Sequence, residues 1–332
     1  MNTFIIRPMA SILFGVLSAF AASSIEPILF RGYGSTLYRL EATIPLQGGD
    51  SWPSNTKGFG QSELEYPLDM FAAGLRWRYE FTSQETHKVG LTFSAWSNLF
   101  DPSGKMMDTD WIGALSSSSN STSSTLIKFS VTESTVEARW LGGEVGLDIG
   151  NFKLFRKRVR YGMILHAEYL NFRMFGVQGR QWPFNENPII VDTLPDGLVL
   201  TYALSRFMPR LFVDFRLAEG HKVSWNAILS GAPAFAWDHD DHVLRRKESD
   251  SYTFGFEAGL RSEIALRVSD AISLITSGEI DYLRSKGNMD QRFYGDDPFT
   301  QDTDETGLKI NNVVNRIIGF GGGFGLGLRF LF

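Results

Sequence analysis

The chain has 332 residues, which is enough for one large domain or two small ones. It contains no cysteine, and this excludes disulfide frameworks, thiolate zinc sites and cysteine nucleophiles. The net charge of −5 is mild, so the composition gives no indication of nucleic-acid binding.

The first residues predict a secretory signal peptide over 1–21. Arg7 supplies a positive charge, residues 10–20 form an apolar run, and Ala19-Phe20-Ala21 has the small-x-small pattern of a cleavage site. A membrane anchor is the alternative, but the run is shorter than the roughly 20 residues that span a bilayer. We therefore expect export to a bacterial outer membrane and one mature domain, 22–332.

Beyond the signal peptide, large apolar residues recur at every second position. The C-terminal segment shows this most clearly, since its apolar face alternates with a face of glycines and Arg329. That apolar face consists of Ile318, Phe320, Phe324, Leu326, Leu328, Phe330 and Phe332. Large apolar residues opposite small or charged ones are typical of a transmembrane β-barrel, which faces lipid outside and a polar lumen inside.

Similar segments predict an all-β fold, a ten-stranded antiparallel transmembrane β-barrel. The predicted strands are 27–44, 61–81, 86–99, 125–149, 156–178, 197–217, 221–240, 251–268, 271–290 and 312–332. Short connections near 82–85, 151–155, 217–220 and 269–270 would be periplasmic turns. Long ones near 45–60, 100–124, 179–196, 240–251 and 291–311 would be extracellular loops.

The predicted size of the barrel limits its possible functions, and the composition of its loops indicates which of them are flexible. About ten strands leave a narrow lumen, which argues against a general diffusion porin. The predicted inward charges are Arg76, Arg78, Glu80, Glu257, Arg261 and Arg329. Within the second long loop, the Ser/Asn/Thr tract 116–124 is expected to be flexible.

Two acidic clusters lie where predicted strands meet long loops. They are Asp108-Thr109-Asp110-Trp111 and Asp238-His239-Asp240-Asp241-His242. In an extended chain, residues i and i+2 share a face, which pairs Asp108 with Asp110 and Asp240 with His242. Facing each other across one cavity, these pairs could hold and deprotonate a water molecule. A solvated acidic loop, a calcium site, or a zinc site on His239, Asp240 and His242 are the alternatives.

Both clusters resemble motifs of the omptins, a family of outer-membrane aspartate–histidine endopeptidases, and the similarity runs over nearly the whole mature chain. Four segments carry it: Met106-Met107-Asp108-Thr109-Asp110-Trp111, Asp238-His239-Asp240-Asp241-His242 with Asp241 in place of a family Glu, Ser62-Glu63-Leu64-Glu65-Tyr66, and Tyr202 with Met208-Pro209. Two catalytic motifs on the appropriate loops of a ten-stranded barrel are more specific than either motif alone.

The resemblance implies a catalytic mechanism without a metal or a covalent intermediate. Asp240 and His242 would form a dyad opposite Asp108 and Asp110, and His242, helped by Asp108, would activate a water molecule that attacks the peptide carbonyl. Since the two carboxylates of Asp108 and Asp110 repel each other, the pKa of one should be raised.

The resemblance also implies a substrate class. Asp238, Met106, Leu200 and Tyr38 would line the substrate site for polypeptides with Arg or Lys at the cleaved bond. Tyr38 lies where the family has an acid, so a strict preference for two basic residues is not expected.

No cofactor is implied, but lipopolysaccharide would be an activating lipid, with Tyr169, Arg173 and Arg206 as candidate contacts. We expect a monomer with its active site outside the cell. A non-proteolytic omptin-like adhesin is the alternative function.

Overall fold

The computed structural model describes residues 23–45, 57–80, 90–118, 121–155, 157–181, 189–192, 197–296 and 304–332. The predicted signal peptide 1–21 and the predicted turn 82–85 lie outside these residues. No helix in the described ranges is long and apolar enough to cross a membrane.

Thirteen β-strands are present in the described ranges, and they form one sheet. They are β1 Ser23–Pro45, β2 Lys57–Pro67, β3 Phe71–Glu80, β4 Gly90–Asn98, β5 Met106–Ser118, β6 Ser121–Leu154, β7 Lys157–Gln181, β8 Ile189–Asp192, β9 Leu198–Glu219, β10 Val223–His242, β11 Lys247–Arg267, β12 Ile272–Phe293 and β13 Lys309–Leu331. A 3₁₀ turn, Val243–Arg245, joins β10 to β11.

The sheet is closed, because β1 pairs with β13 at one side and with β2 and β3 at the other. β2 and β3 together form one strand of the barrel, as do β4 and β5, which both pair with β6. β8 adds a short pairing to β7. The result is a ten-stranded antiparallel barrel, as predicted from the sequence. Closure leaves no sheet edge to face lipid.

Alternation along each strand separates the wall from the lumen. On β10, Leu229 and Trp237 are exposed on the outside, whereas Ala234, Ala236 and Asp238 are buried inside. The same pattern on the other strands forms an outer belt of large apolar side chains, which is the surface that faces lipid. Trp237 is the last member of this belt on β10, and the next outward residues, His239 and Asp241, are polar.

Two adjacent barrel strands are interrupted, at 68–70 and at 99–105. Side chains replace the missing backbone pairing there. The Asn98 amide donates to the Ala138 carbonyl and accepts from the Trp140 N–H, both at 2.8 Å. Asp101 accepts from the Ala138 N–H at 2.8 Å. These bonds satisfy backbone groups of β6 that face the gap.

Two loop predictions are wrong. The expected loop 100–124 contains β5, which pairs with β2 and β6. The described parts of the tract 116–124 are paired strand, with Ser118 opposite Ser121, because backbone pairing does not require apolar side chains. The expected loop 240–251 is reduced to the residues between His242 and Lys247. Both hairpins continue beyond the apolar belt, where apolar alternation no longer marks the strands.

The lower lumen is charged, as the inward residues predicted. Its ion pairs include Arg76 with Glu26, Arg210 with Glu257 and with Glu144, His166 with Glu144, and Arg329 with Glu263. Of these residues, Arg76, Glu144, His166, Arg210 and Glu257 line a cavity of about 170 Å³. Above this cavity, the lumen is filled by Tyr38, Tyr66, Phe172 and Tyr202, which we call the aromatic floor.

Replacing Asn98 with Ala should destabilise the barrel by about 1–3 kcal/mol, because two backbone groups of β6 lose their partner. Urea unfolding in detergent, followed by tryptophan fluorescence, measures this change. Asn288→Ala, at an exposed position of β12, is the control and should unfold like the wild type. Equal midpoints for the two variants would contradict a bridging role for Asn98.

Candidate active site

The aromatic floor supports the candidate site from below. The rings of Tyr66 and Tyr202 are stacked, with centroids 4.6 Å apart and an interplanar angle of 9°. Tyr66 also stacks on Phe172 at 4.9 Å, and Tyr38 lies 5.1 Å from Tyr202. None of these four side chains has exposed surface. They form a rigid base at the end of the barrel that carries both acidic clusters.

The end of β10 supplies the Asp–His pair. Strand alternation directs Asp238, Asp240 and His242 inward and His239 outward. Nε2 of His242 lies 3.0 Å from Oδ2 of Asp240, and Asp240 has no exposed surface. The short connection to β11 places both residues on a regular hairpin. A buried carboxylate bonded to one imidazole nitrogen leaves the other nitrogen available as a base.

β5 supplies the opposing carboxylates. Asp108 and Asp110 share its inward face, and each accepts a hydrogen bond from a serine on a neighbouring strand. Ser62 Oγ on β2 donates to Asp108 Oδ1 at 3.4 Å, and Ser130 Oγ on β6 donates to Asp110 Oδ2 at 2.7 Å. The sequence analysis did not identify Ser130, because its position opposite Asp110 depends on the β5–β6 register.

The two pairs are close enough to influence each other electrostatically. Burial raises the pKa of Asp108 well above its usual range, and the negative charges of Asp110 and Asp240 raise it further, against the opposite effect of Arg245. Lys247 lies near the same carboxylates, and burial lowers its pKa. The structure therefore places the carboxylates of Asp108, Asp110 and Asp240 close enough to interact electrostatically, with His242 bonded to Asp240.

Asp238 is held by a small hydrogen-bond network. Ser251 Oγ donates to Asp238 Oδ2, and Asn315 Nδ2 donates to the same oxygen at 3.1 Å. Burial raises the pKa of Asp238 to about 7, the charge of Asp240 adds to this, and the two hydrogen bonds oppose it. Sequence reasoning missed Ser251 and Asn315, although both occupy inward positions of predicted strands.

The three remaining candidates for substrate binding are buried. Met106 and Leu200 lie in the apolar cluster around the aromatic floor, and Tyr38 is part of the floor itself. The Tyr38 hydroxyl donates to Met289 Sδ at 3.4 Å. The structure therefore places Tyr38 beneath the cleft and not in an open pocket wall, and its phenol supplies no negative charge there.

The zinc alternative does not fit the geometry. His239 points outward, is 47% exposed and lies 2.8 Å from Asp250, so it does not meet Asp240 and His242. In the described ranges, no three His, Asp or Glu side chains form a group that could hold a metal ion.

One of the candidate lipid contacts is also misplaced. Tyr169 is exposed on the wall, and Arg173 is exposed and pairs with Glu137. Arg206, however, faces the lumen and pairs with Glu168, because it lies on the same inward face of β9 as Tyr202 and Leu204. The prediction that Arg206 contacts lipid on the outer wall is therefore wrong.

Comparison with known proteins supports the fold alone. No protein-family model and no curated protein matches the chain. The outer membrane protease OmpT from Escherichia coli superposes with a TM-score of 0.68 at 13% identity, covering 94% of this chain and 97% of that chain. A FadL homologue from Pseudomonas aeruginosa superposes with a TM-score of 0.28 at 9% identity, covering 93% of this chain and 90% of that chain. A TM-score this low supports no argument. The chain thus has an omptin-like fold.

Asp238 should titrate with a pKa of about 7, which the ¹³C carboxyl shifts of Asp-labelled protein can measure in detergent. Asp238→Asn assigns the signal by removing it. Ser251→Ala should raise this pKa further, because a donor that favours the carboxylate is lost. An Asp238 signal that titrates near the usual aspartate value, or that moves downward in Ser251→Ala, would contradict this description.

Proposed function

We propose that this chain is an outer-membrane endopeptidase that cleaves polypeptides beside basic residues. One observation carries the proposal. His242 Nε2 lies 3.0 Å from the buried Asp240 carboxylate, whose charge acts on the nearby Asp108 together with the charge of Asp110. This arrangement places an imidazole base near a carboxyl whose pKa is raised, on strands β10 and β5.

His242 is the general base in this mechanism. Asp240 accepts a hydrogen bond from Nε2–H, so Nδ1 takes a proton from a water molecule placed between the two pairs. The water oxygen then attacks the peptide carbonyl carbon. When the tetrahedral intermediate collapses, the imidazolium returns its proton to the leaving amine and the C–N bond breaks. General-base help of this kind contributes about 10²–10⁴-fold in rate.

Asp108 stabilises the oxyanion in this mechanism. Because its pKa is raised, Asp108 can hold a proton and donate a hydrogen bond to the carbonyl oxygen as negative charge develops there. Asp110, bonded to Ser130, remains the acceptor partner that helps to orient the water. No metal ion takes part in these steps.

Asp238 selects the basic substrate residue. It is the inward carboxylate next to the dyad, and a guanidinium or ammonium group would restore its full ionisation. Tyr38 adds no second charge, so one basic residue is sufficient for recognition.

The proposed location is the outer membrane of a bacterium, with the cleft on the extracellular side, because the longer connections of such barrels face outward. Lipopolysaccharide is the proposed activating lipid. Arg173, which is exposed and lies 5.1 Å from the Phe175 ring centroid, can contact its phosphates, with Tyr169 nearby on the wall. The proposed functional form is a monomer.

His242→Ala should lower kcat/KM at least about 100-fold, because the base is removed. His239→Ala, the matched control on the outward face, should keep kcat/KM within about twofold of the wild-type value. Mature protein refolded in detergent with lipopolysaccharide is incubated with Arg- and Lys-containing peptides, and products are identified by mass spectrometry with and without a chelator. A folded, lipid-loaded barrel that cuts no peptide would favour the adhesin alternative, and cleavage abolished by the chelator would refute the metal-free mechanism.

Asp238→Asn should reduce kcat/KM for an Arg peptide by about 30-fold or more, because a buried charge partner is lost. The outward-facing neighbour Asp241 provides the control, and Asp241→Asn should cleave like the wild type. The ratio of cleavage at Arg to cleavage at Leu in one peptide library is the measurement. If Asp238→Asn keeps the wild-type ratio, Asp238 does not determine specificity.

A further inference from the structure

Two buried hydroxyl groups in the aromatic floor have no partner. Tyr66 and Tyr202 are completely buried, and neither hydroxyl oxygen forms a hydrogen bond with any residue that the structure describes. Tyr38, the third tyrosine of the floor, differs because its hydroxyl donates to Met289 Sδ. A buried hydroxyl without a partner is unfavourable, and native proteins usually satisfy such groups with ordered water.

A third unpaired atom belongs to the dyad. Oδ2 of Asp240 contacts His242, whereas Oδ1 is buried and has no hydrogen-bond partner among the described residues. Tyr202 is the direct cross-strand neighbour of Asp240, and the Tyr66 ring stacks on Tyr202 at 4.6 Å. The three unpaired oxygens thus belong to neighbouring side chains at the base of the cleft.

The protonation states match this grouping. Burial raises the pKa of Tyr66 well above its usual range, and Asp240 is the charge that raises it most. Burial also raises the pKa of Tyr202 well above its usual range, with Asp238 and Asp240 as the main charges. Both phenols therefore stay protonated and can donate, while Asp240 Oδ1 can only accept.

We propose that one buried water molecule links the hydroxyls of Tyr66 and Tyr202 to Oδ1 of Asp240, and that the two tyrosines are positioning residues for the dyad. This inference rests on the proposed endopeptidase function. The water accepts one hydrogen bond from each tyrosine and donates one to the carboxylate, so each of the three unpaired oxygens gains one hydrogen bond. Three hydrogen bonds are the usual number for a buried water.

The bridge fixes the carboxylate of Asp240. With Oδ1 held from below, the carboxylate cannot rotate, and Oδ2 stays directed at His242 Nε2. Losing the bridge should therefore impair proton transfer at His242 and leave substrate binding unchanged.

Tyr66→Phe and Tyr202→Phe test the inference, because they keep the stacked rings and remove only the hydroxyl oxygens. Each should lower kcat at least about tenfold, because loss of either hydroxyl releases the water and with it the hydrogen bond to the Asp240 carboxylate, with KM within about twofold of the wild type. The kcat of the double variant should be only slightly lower than the kcat of the less active single variant, since both hydroxyls bind the same water. Tyr282→Phe, on the lipid-facing wall, is the control and should leave kcat unchanged.

Unchanged kcat in both single variants of an active enzyme, or losses that multiply in the double variant, would overturn the shared bridge. A crystal structure at about 1.8 Å gives a readout that does not depend on activity. Density for one water between the two hydroxyls and Oδ1 supports the bridge, and its absence refutes it. Failure of the folded wild type to cleave any peptide overturns the endopeptidase proposal instead, and the positioning role with it, whatever the density shows.

Discussion

A polypeptide backbone inside a bilayer has no water with which to form hydrogen bonds, and this constraint determines the rest of the structure. The sheet must close on itself, which the pairing of β1 with β13 achieves. Where two adjacent strands are interrupted, the side chains of Asn98 and Asp101 satisfy the backbone of β6. Because closure directs alternate side chains to lipid and to the lumen, polar chemistry is confined to inward positions.

The candidate site follows from the same geometry. Asp108, Asp110, Asp240 and His242 are inward residues at strand positions beyond the apolar belt, so their directions are set by the sheet and not by mobile loops. Serines on the strands beside β5 bond its two carboxylates, and the aromatic floor limits the depth of the cleft. Groups fixed in this way need little reorganisation when charge develops near them.

The sequence predicted the features that depend on periodicity. A period of two identified the barrel, its ten strands and the inward direction of Arg76 and Glu257. It could not predict where polar strands continue past the belt, as β5 does, because apolar alternation ends there. Contacts such as those of Asp238 with Ser251 and Asn315 depend on register between strands distant in sequence. Arg206 was misassigned because a basic residue is compatible with either face until the alternation of its strand is counted.

The aromatic floor also affects the permeability of the membrane that contains the barrel. Ten strands enclose a lumen lined below by ion pairs, and a continuous water column there would conduct ions. A hydrated ion entering from that side meets the stacked rings of Tyr66, Tyr202 and Phe172, and passing them would require it to lose its water shell. The buried rings of the floor therefore oppose the passage of ions through the lumen.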